Sequence, residues 1–230
     1  MASLFHRRQF LFAGLGAASG LIATAAPSVS AFSIGRPLLA GEDLMQEHGV
    51  LGRLLLIYEE LARRFEKGDA EPSDCLLQST NIIVDYIQGH HERVEELMIF
   101  PALRHAGVLS ELVSVLVSQH EAGRTVTDAI TKRVKAGGLK SRDVRLELAG
   151  LMRMFLRMYR PHALREDTVV FPELHRMLSE TQYQELSTRI QTLEKAMVHN
   201  DDLNDIVKRL DQIEIALGIH DLTSFTAKLP

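Results

Sequence analysis

One histidine–glutamate motif occurs twice in this sequence and contains the side chains best suited to chemistry. The pattern His-x-x-x-Glu-x-x-x-x-Phe-Pro runs over residues 91–101 and again over residues 162–172. On a helix, residues four positions apart stack on one face, so each copy presents an imidazole and a carboxylate in the same direction. We therefore predict that two helices direct His91, Glu95, His162 and Glu166 toward one site.

A further histidine precedes each copy of the motif. His48 lies 43 residues before His91, and His120 lies 42 residues before His162. The chain thus repeats one unit, a helix with one histidine followed by a helix with the motif. Two such units predict a bundle whose interior holds four imidazoles and two carboxylates. Buried carboxylates are costly when unpaired, and bound metal ions offset that cost; bundle interiors are a known setting for carboxylate-bridged di-iron sites.

Helical periodicity and the breakers between segments predict the elements that position these residues. We expect helices over 42–67, 74–104, 109–135 and 142–178, and two amphipathic helices over 180–198 and 201–217. Ser73 or Asp74 and Ser141 are predicted N-caps, and Gly137-Gly138 a helix stop. Short connections favour antiparallel neighbours, so the predicted fold class is all-α, an up-down antiparallel four-helix bundle with extra C-terminal helices.

The composition is typical of a helical domain and excludes several classes of protein. Of the 230 residues, 46 % are apolar and none is tryptophan, while the net charge of −4 does not favour a nucleic acid or an anionic membrane as partner. The single cysteine, Cys75, excludes an intrachain disulfide and sites built from several thiolates, and we expect it to be inert. A zinc-peptidase motif is excluded because Glu95 stands where its second histidine belongs.

The first 31 residues have the layout of an export signal. Arg7-Arg8 precede Phe10-Leu11, a mostly apolar or small run extends to Ala26, and Val29-Ser30-Ala31 provides small residues for cleavage. The segment resembles a twin-arginine export signal, which implies cleavage near Ala31, a periplasmic location and no membrane span in the mature chain. An uncleaved membrane anchor is the alternative, although an apolar run of about 17 residues is marginal for spanning a bilayer.

Residues 42–178 resemble hemerythrin-like proteins of the His-His-Glu cation-binding group. The resemblance rests on the four histidines and two glutamates above, on the pairs His90-His91 and Glu95-Glu96, and on both Phe-Pro dipeptides. It implies an antiparallel four-helix bundle that holds two non-haem iron ions with oxo or hydroxo bridges. The implied ligands are His48, His91, Glu95, His120, His162 and Glu166.

One position departs from the oxygen-carrying hemerythrins. They have a second histidine four residues after the third-helix histidine, where this chain has Arg124, and a guanidinium cannot bind a metal. Glu92 is the candidate replacement, because some relatives use His-Glu-x-x-Glu, and Glu121 is a weaker one. On the fourth helix Asp167 competes with Glu166, which we prefer because its register matches the first motif.

Exchanging an imidazole for a carboxylate makes the site more anionic, which stabilises ferric iron. We therefore expect redox, peroxide or nitric-oxide chemistry rather than reversible oxygen storage, with a small diatomic molecule or peroxide as ligand. Arg124, Tyr86 and Tyr159 are predicted next to the metal ligands. Three functions stay open: a protein that binds or senses oxygen, nitric oxide, peroxide or iron; a peroxide-decomposing di-iron oxidoreductase; and an interaction scaffold without di-iron.

The C-terminal segment, residues 179–230, lies outside this resemblance and is predicted to be a helical extension of the 42–178 bundle. It contains a helical apolar stripe, formed by Leu203, Ile206, Val207, Leu210, Ile213 and Leu217. The stripe either packs back on the bundle or makes a homodimer or partner contact through residues 201–217.

Overall fold

Long helical rods make up the structure, a computed structural model that describes residues 39–69, 74–197 and 203–227. In chain order the helices are α1 (Ala40–Lys67), α2 (Cys75–Ile82), α3 (Glu92–Val94), α4 (Phe100–His105), α5 (Ser110–Lys135), α6 (Arg142–Arg165), α7 (Phe171–Met177), α8 (Glu180–Ala196) and α9 (Leu203–Leu217). Three π-helical segments (Ile83–His91, Glu95–Ile99 and Glu166–Val170) and two 3-10 turns (Gly138–Lys140 and Leu222–Phe225) complete the list. The described ranges contain no strand.

The π-helical segments join shorter helices into continuous rods. The second rod comprises residues 75–105, and the fourth rod comprises residues 142–177; α1 and α5 are the first and third rods. Each rod packs against two neighbours, and the first and fourth rods share the most extensive contact. This confirms the predicted all-α bundle with extra C-terminal helices, and the predicted helix ends differ from the observed ones by no more than two residues.

Turn residues explain where the rods end. Gly137 adopts a left-handed conformation (φ 78°) immediately after Ala136, the C-cap of the third rod, as the predicted helix stop requires. The Ser141 hydroxyl accepts a hydrogen bond from the Val144 N–H and caps α6, as predicted. Asp74 occupies the N-cap position of α2, as predicted, although its side chain makes no capping hydrogen bond. Ser73 lies outside the described residues.

Both Phe-Pro dipeptides shift the hydrogen bonding of the rod in which they lie. Proline has no N–H to donate to the preceding turn, so Pro101 and Pro172 each remove a backbone hydrogen bond from the rod in which they lie. In each rod a π-helical segment comes directly before the dipeptide, and the proline falls in the first turn of the next helix. The two π-helical segments begin at Glu95 and Glu166. The two motif glutamates therefore occupy equivalent positions in their rods.

Two apolar clusters fill the bundle, one toward each end. One includes Leu54, Phe65, Ile82, Met152 and Phe155, and the other includes Leu44, Ile99, Leu103, Leu116 and Leu174. Along every rod the motif histidines and glutamates fall between residues of the two clusters. The polar side chains therefore form one layer enclosed by apolar packing on both sides.

The two C-terminal helices pack on the bundle. Ile206, Leu210, Ile213 and Leu217 of α9 are buried against α1 and α2. The apolar stripe thus packs back on its own chain, and this covered face does not support the alternative of a homodimer or partner contact through residues 201–217. No helix in the described ranges has both the length and the apolar character needed to cross a bilayer.

Helix α8 caps the first rod. The side chain of Leu39 supplies no cap, and instead the Ala40 N–H donates to the Ser187 hydroxyl (3.1 Å) and the Gly41 N–H to the Tyr183 hydroxyl (3.0 Å). These donors would otherwise be left without an acceptor in a buried place. The C-terminal extension therefore fixes where the first rod begins.

Gly123 allows the third and fourth rods to approach closely, and replacing it tests that contact. A Cβ at Gly123 would lie 2.1 Å from the Tyr159 hydroxyl, whereas a Cβ at the exposed Gly52 would meet nothing within 4 Å. We expect Gly123→Ala to lower the free energy of unfolding by about 1–3 kcal/mol because the buried ring must shift. We expect Gly52→Ala to raise it by up to about 1 kcal/mol through helix propensity. Urea denaturation measures both, and equal effects would rule out the close contact.

Candidate metal centre

Four histidines, one from each rod, meet in the polar layer as two facing pairs. The Nε2 atoms of His48 and His91 lie 3.0 Å apart, and those of His120 and His162 lie 3.1 Å apart. All four side chains are buried. Two nitrogen lone pairs at this separation repel each other unless a proton or a cation lies between them.

Two carboxylates lie between the histidine pairs. Glu95 Oε2 is 3.6 Å from His91 Nε2 and 3.5 Å from His120 Nε2. Glu166 Oε2 is 3.4 Å from His48 Nε2 and 3.1 Å from His162 Nε2. Each carboxylate therefore faces one histidine of each pair.

The donor atoms form two groups that share both carboxylates. One group combines His48 and His91 with the two glutamates, and the other combines His120 and His162 with the same two glutamates. Within each group the ligand atoms lie within 4.8 Å of one another. This is the arrangement that two cations bridged by carboxylates require.

The unpartnered state of the glutamates shows that these residues fit a metal. Glu95 and Glu166 are 0 % exposed, and none of their four carboxylate oxygens has a hydrogen-bond partner among the described residues. An uncompensated buried carboxylate costs several kcal/mol, about as much as any single defect in a core. Cations between the imidazole and carboxylate donors would remove this cost, and such mixed nitrogen and oxygen donors suit iron, zinc or manganese.

The second nitrogen of each imidazole is held by an oxygen from the preceding rod of the ring. The Nδ1 contacts are His48 with Asp167 Oδ1 (2.7 Å), His91 with Glu47 Oε2 (2.8 Å), His120 with Glu96 Oε1 (3.0 Å) and His162 with Gln119 Oε1 (2.8 Å). An Nδ1–H donated outward leaves the Nε2 lone pair pointing inward, as metal binding needs. The same four contacts tie the rods into a closed ring.

Sequence reasoning missed most of these acceptors, although a signal was present. Glu47 and Gln119 each come directly before a predicted ligand, and Glu96 and Asp167 each come directly after one. Asp167 is the predicted alternative to Glu166 as a metal ligand on the fourth helix. The structure places Glu166 inside the centre and the partly exposed Asp167 outside it.

Glu92 lies beside the centre and is engaged by other residues. Glu92 Oε1 accepts a hydrogen bond from the Tyr159 hydroxyl (2.6 Å), and Glu92 Oε2 is 2.8 Å from Arg124 Nη2. Glu92 belongs to neither four-donor group, although it forms a smaller group with Glu96 and His120. Burial raises the pKa of Glu92 to about 7, with the Tyr159 and Arg124 contacts opposing the rise. Its predicted role as a metal ligand stays a prediction.

The remaining predicted neighbours contact the residues that hold the histidines. Arg124 Nη2 is 2.6 Å from Glu96 Oε1, the acceptor of the His120 ring. The Tyr86 hydroxyl donates to Glu47 Oε1 over 3.3 Å. Glu121, the weaker candidate ligand, is exposed to solvent and lies outside all of these groups. The neighbours can therefore tune the charge and orientation of the histidines without touching a metal.

The two central carboxyl groups have opposite electrostatic preferences. Burial, together with the charge of Glu166, raises the pKa of Glu95 well above its usual range. Burial opposes ionisation of Glu166 as well, but the adjacent imidazoles of His162 and His48 outweigh it and lower the pKa of Glu166. One carboxyl therefore keeps a proton while the other is ionised. A cation in the layer would allow both to ionise.

The fold and the layer of histidines and glutamates define a helical-bundle protein with a buried cation centre. A family model, the hemerythrin HHE cation binding domain, matches residues 40–174, and the chain belongs to this family. The chain is also similar to uncharacterized proteins of Mycobacterium bovis and Mycobacterium tuberculosis. The identity to each is 39 % over 190 residues, which cover 83 % of this chain and 74 % of theirs. No solved structure gives a significant match.

The raised pKa of Glu95 predicts an unusual response to substitution. In the metal-free protein at neutral pH, Glu95→Gln should raise the free energy of unfolding by about 1–3 kcal/mol, because folding then no longer requires a buried carboxyl to take up a proton. Chemical denaturation measures this change. The exposed Glu121→Gln is the matched control and should have no effect.

The pH dependence follows from the raised pKa of Glu95. The stability that this carboxyl contributes is present below its ordinary value of 4.5 and is lost as the pH rises through its raised value. The advantage of Glu95→Gln should therefore be small in acid and grow toward neutral pH. A substitution that destabilises the metal-free protein at pH 7 would contradict this account of the centre.

Proposed function

We propose that this chain binds two non-haem iron ions bridged by Glu95 and Glu166, and uses them to bind or sense oxygen, nitric oxide or peroxide. The observation that supports this most directly is the sharing of both carboxylates by the two histidine pairs. In this proposal two imidazole nitrogens and two carboxylate oxygens of the chain would hold each ion. Four protein donors leave coordination positions open on iron, and open positions are what a small ligand needs.

The chain's own residues supply orientation, charge and protection. Bound iron would supply the capacity to bind small oxygen or nitrogen ligands and to exchange electrons with them. The Nδ1 contacts hold each imidazole in the orientation that points Nε2 inward. The rings of Phe100 and Phe171 stack on His120 and His48, with centroids 5.7 Å and 5.6 Å apart. These rings cover the histidines on the side of one apolar cluster, which keeps bulk water from them.

A second candidate function, peroxide decomposition, is favoured by the residues around Glu92. The Tyr159 ring lies 5.3 Å from the His162 ring, and its hydroxyl donates to Glu92 Oε1. Arg124 pairs with the same carboxylate, and its side chain is 38 % exposed. This row of groups connects the buried centre to the surface. Cleavage of a peroxide needs protons delivered to oxygen, and a tyrosine next to a carboxylate is suited to hold and pass a proton.

We also propose that the protein is exported to the periplasm by the twin-arginine pathway, with cleavage near Ala31. The support is the sequence of residues 1–31, which lie outside the described residues. Fractionation of cells that express the protein with Arg7→Lys and Arg8→Lys tests this proposal. Retention in the cytoplasm is expected, and unchanged export would contradict it.

Metal content tests the main proposal. The aerobically purified mature protein should contain about two irons per chain and show the near-ultraviolet absorption of an oxo-bridged ferric pair. His120→Ala should lower the content to about one iron per chain or less, because it removes a donor from one group only. The exposed His105→Ala should leave it unchanged. A chain that takes up no iron, or one zinc, after reconstitution would exclude the di-iron centre and favour the interaction scaffold.

Peroxide turnover separates the two functions. If the protein decomposes peroxide, Tyr159→Phe should retain its iron and lose activity by about 100-fold, the usual scale of a proton-transfer contribution. Tyr58→Phe is the matched control, because it also deletes a buried hydroxyl, one bonded to Thr80 (2.8 Å) away from the centre. Equal rates in both variants would exclude the proton route. No turnover in the unmodified, iron-loaded protein would leave binding or sensing as the function.

A further inference from the structure

A second group of metal-binding side chains lies outside the centre, on the far side of Glu47. His90 Nε2 is 3.1 Å from Glu47 Oε1 and 3.9 Å from Glu194 Oε1. Each of the three residues contributes one ligand atom, and these three atoms lie within 4.8 Å of one another. The three come from the second rod, from α1 and from α8. An imidazole and two carboxylates thus converge from three separate elements.

Glu194 distinguishes this group from the centre. It lies on α8, beyond residues 40–174 that match the family model, so it is not part of the shared motif. The carboxylate of Glu47 faces both groups, with Oε2 on His91 Nδ1 and Oε1 on His90 Nε2. None of the four central Nε2 atoms takes part in the outer group.

Excess negative charge collects around His90. Three carboxylates face it, from Asp43 and Glu47 on α1 and from Glu194 on α8, and the Tyr86 hydroxyl donates to Glu47 from the second rod. Burial, together with the charges of Asp43 and Glu47, raises the pKa of Glu194 to about 7, with His90 opposing the rise. Burial and the charge of Glu47 also raise the pKa of Asp43. Three carboxyl groups therefore surround a single imidazole, an environment that a cation would stabilise.

We propose that Glu47, His90 and Glu194 bind one divalent transition-metal ion, separate from the two ions of the centre. A set of one nitrogen and two carboxylate oxygens suits manganese, ferrous iron or zinc. The side chains of His90 and Glu194 are 11 % and 18 % exposed, so an ion can reach the group from solvent. The carboxylate of Glu47 connects this group to His91, so the group lies beside the centre.

Manganese binding to the iron-loaded protein tests this site. Titration with Mn²⁺, followed by electron paramagnetic resonance, should show one additional ion per chain whose signal is modulated by a single imidazole nitrogen. Glu194→Gln and His90→Gln should each weaken this binding by about tenfold or more without changing the iron content. Glu185→Gln, at an exposed position of α8, is the matched control and should bind Mn²⁺ normally.

Several outcomes would overturn the site. These are the absence of an additional ion, an ion without imidazole coordination, or unchanged affinity in both variants. Circular dichroism shows whether either variant has lost helix, and the nitrogen modulation in the unmodified protein does not depend on the variants. Iron is counted on the same samples, so failure of the central di-iron proposal is recorded separately from failure of this one.

Discussion

The burial of two glutamates without partners is the constraint on which the rest of this structure depends. Glu95 and Glu166 sit in the middle of a helical bundle with no hydrogen bond from the described residues, between two apolar clusters. Such a layer opposes folding unless its charge is compensated. The four imidazoles around it provide part of that compensation, and the geometry leaves the remainder to cations. We therefore expect metal binding to stabilise the fold of this chain.

The ring of Nδ1 contacts makes the donor layer part of the architecture. Each rod orients the histidine of the next, so a shift of one rod would misalign two rings. The repeated units give the layer approximate twofold symmetry, which extends to the π-helical segments and the stacked phenylalanines. The symmetry is broken where His162 contacts the amide of Gln119 and where Tyr159 binds Glu92. A neutral amide that accepts the Nδ1–H bond raises the basicity of an imidazole less than a carboxylate does. The two halves of the centre therefore differ electronically.

Much of the fold and of the donor set follows from local sequence pattern. Helix periodicity and turn residues predicted the rods to within two residues, and the repeated motif indicated the six side chains that the structure brings together. Contacts across helices were harder to predict, because they depend on how each rod is rotated. The π-helical segments before Pro101 and Pro172 alter that rotation, and they escaped prediction. Glu92 contacts Tyr159 and Arg124 across helices in this way, and Glu194 reaches His90 only because α8 packs beside α1.

Anomalous X-ray diffraction at the iron edge, from crystals of the iron-loaded protein, would locate the ions of a di-iron centre. We expect two iron peaks in the polar layer, about 3.5–4 Å apart, as in other two-metal sites. One peak should lie at His48 and His91 and the other at His120 and His162, with Glu95 and Glu166 contacting both. A single peak, or two peaks that do not share these glutamates, would contradict the proposed di-iron centre.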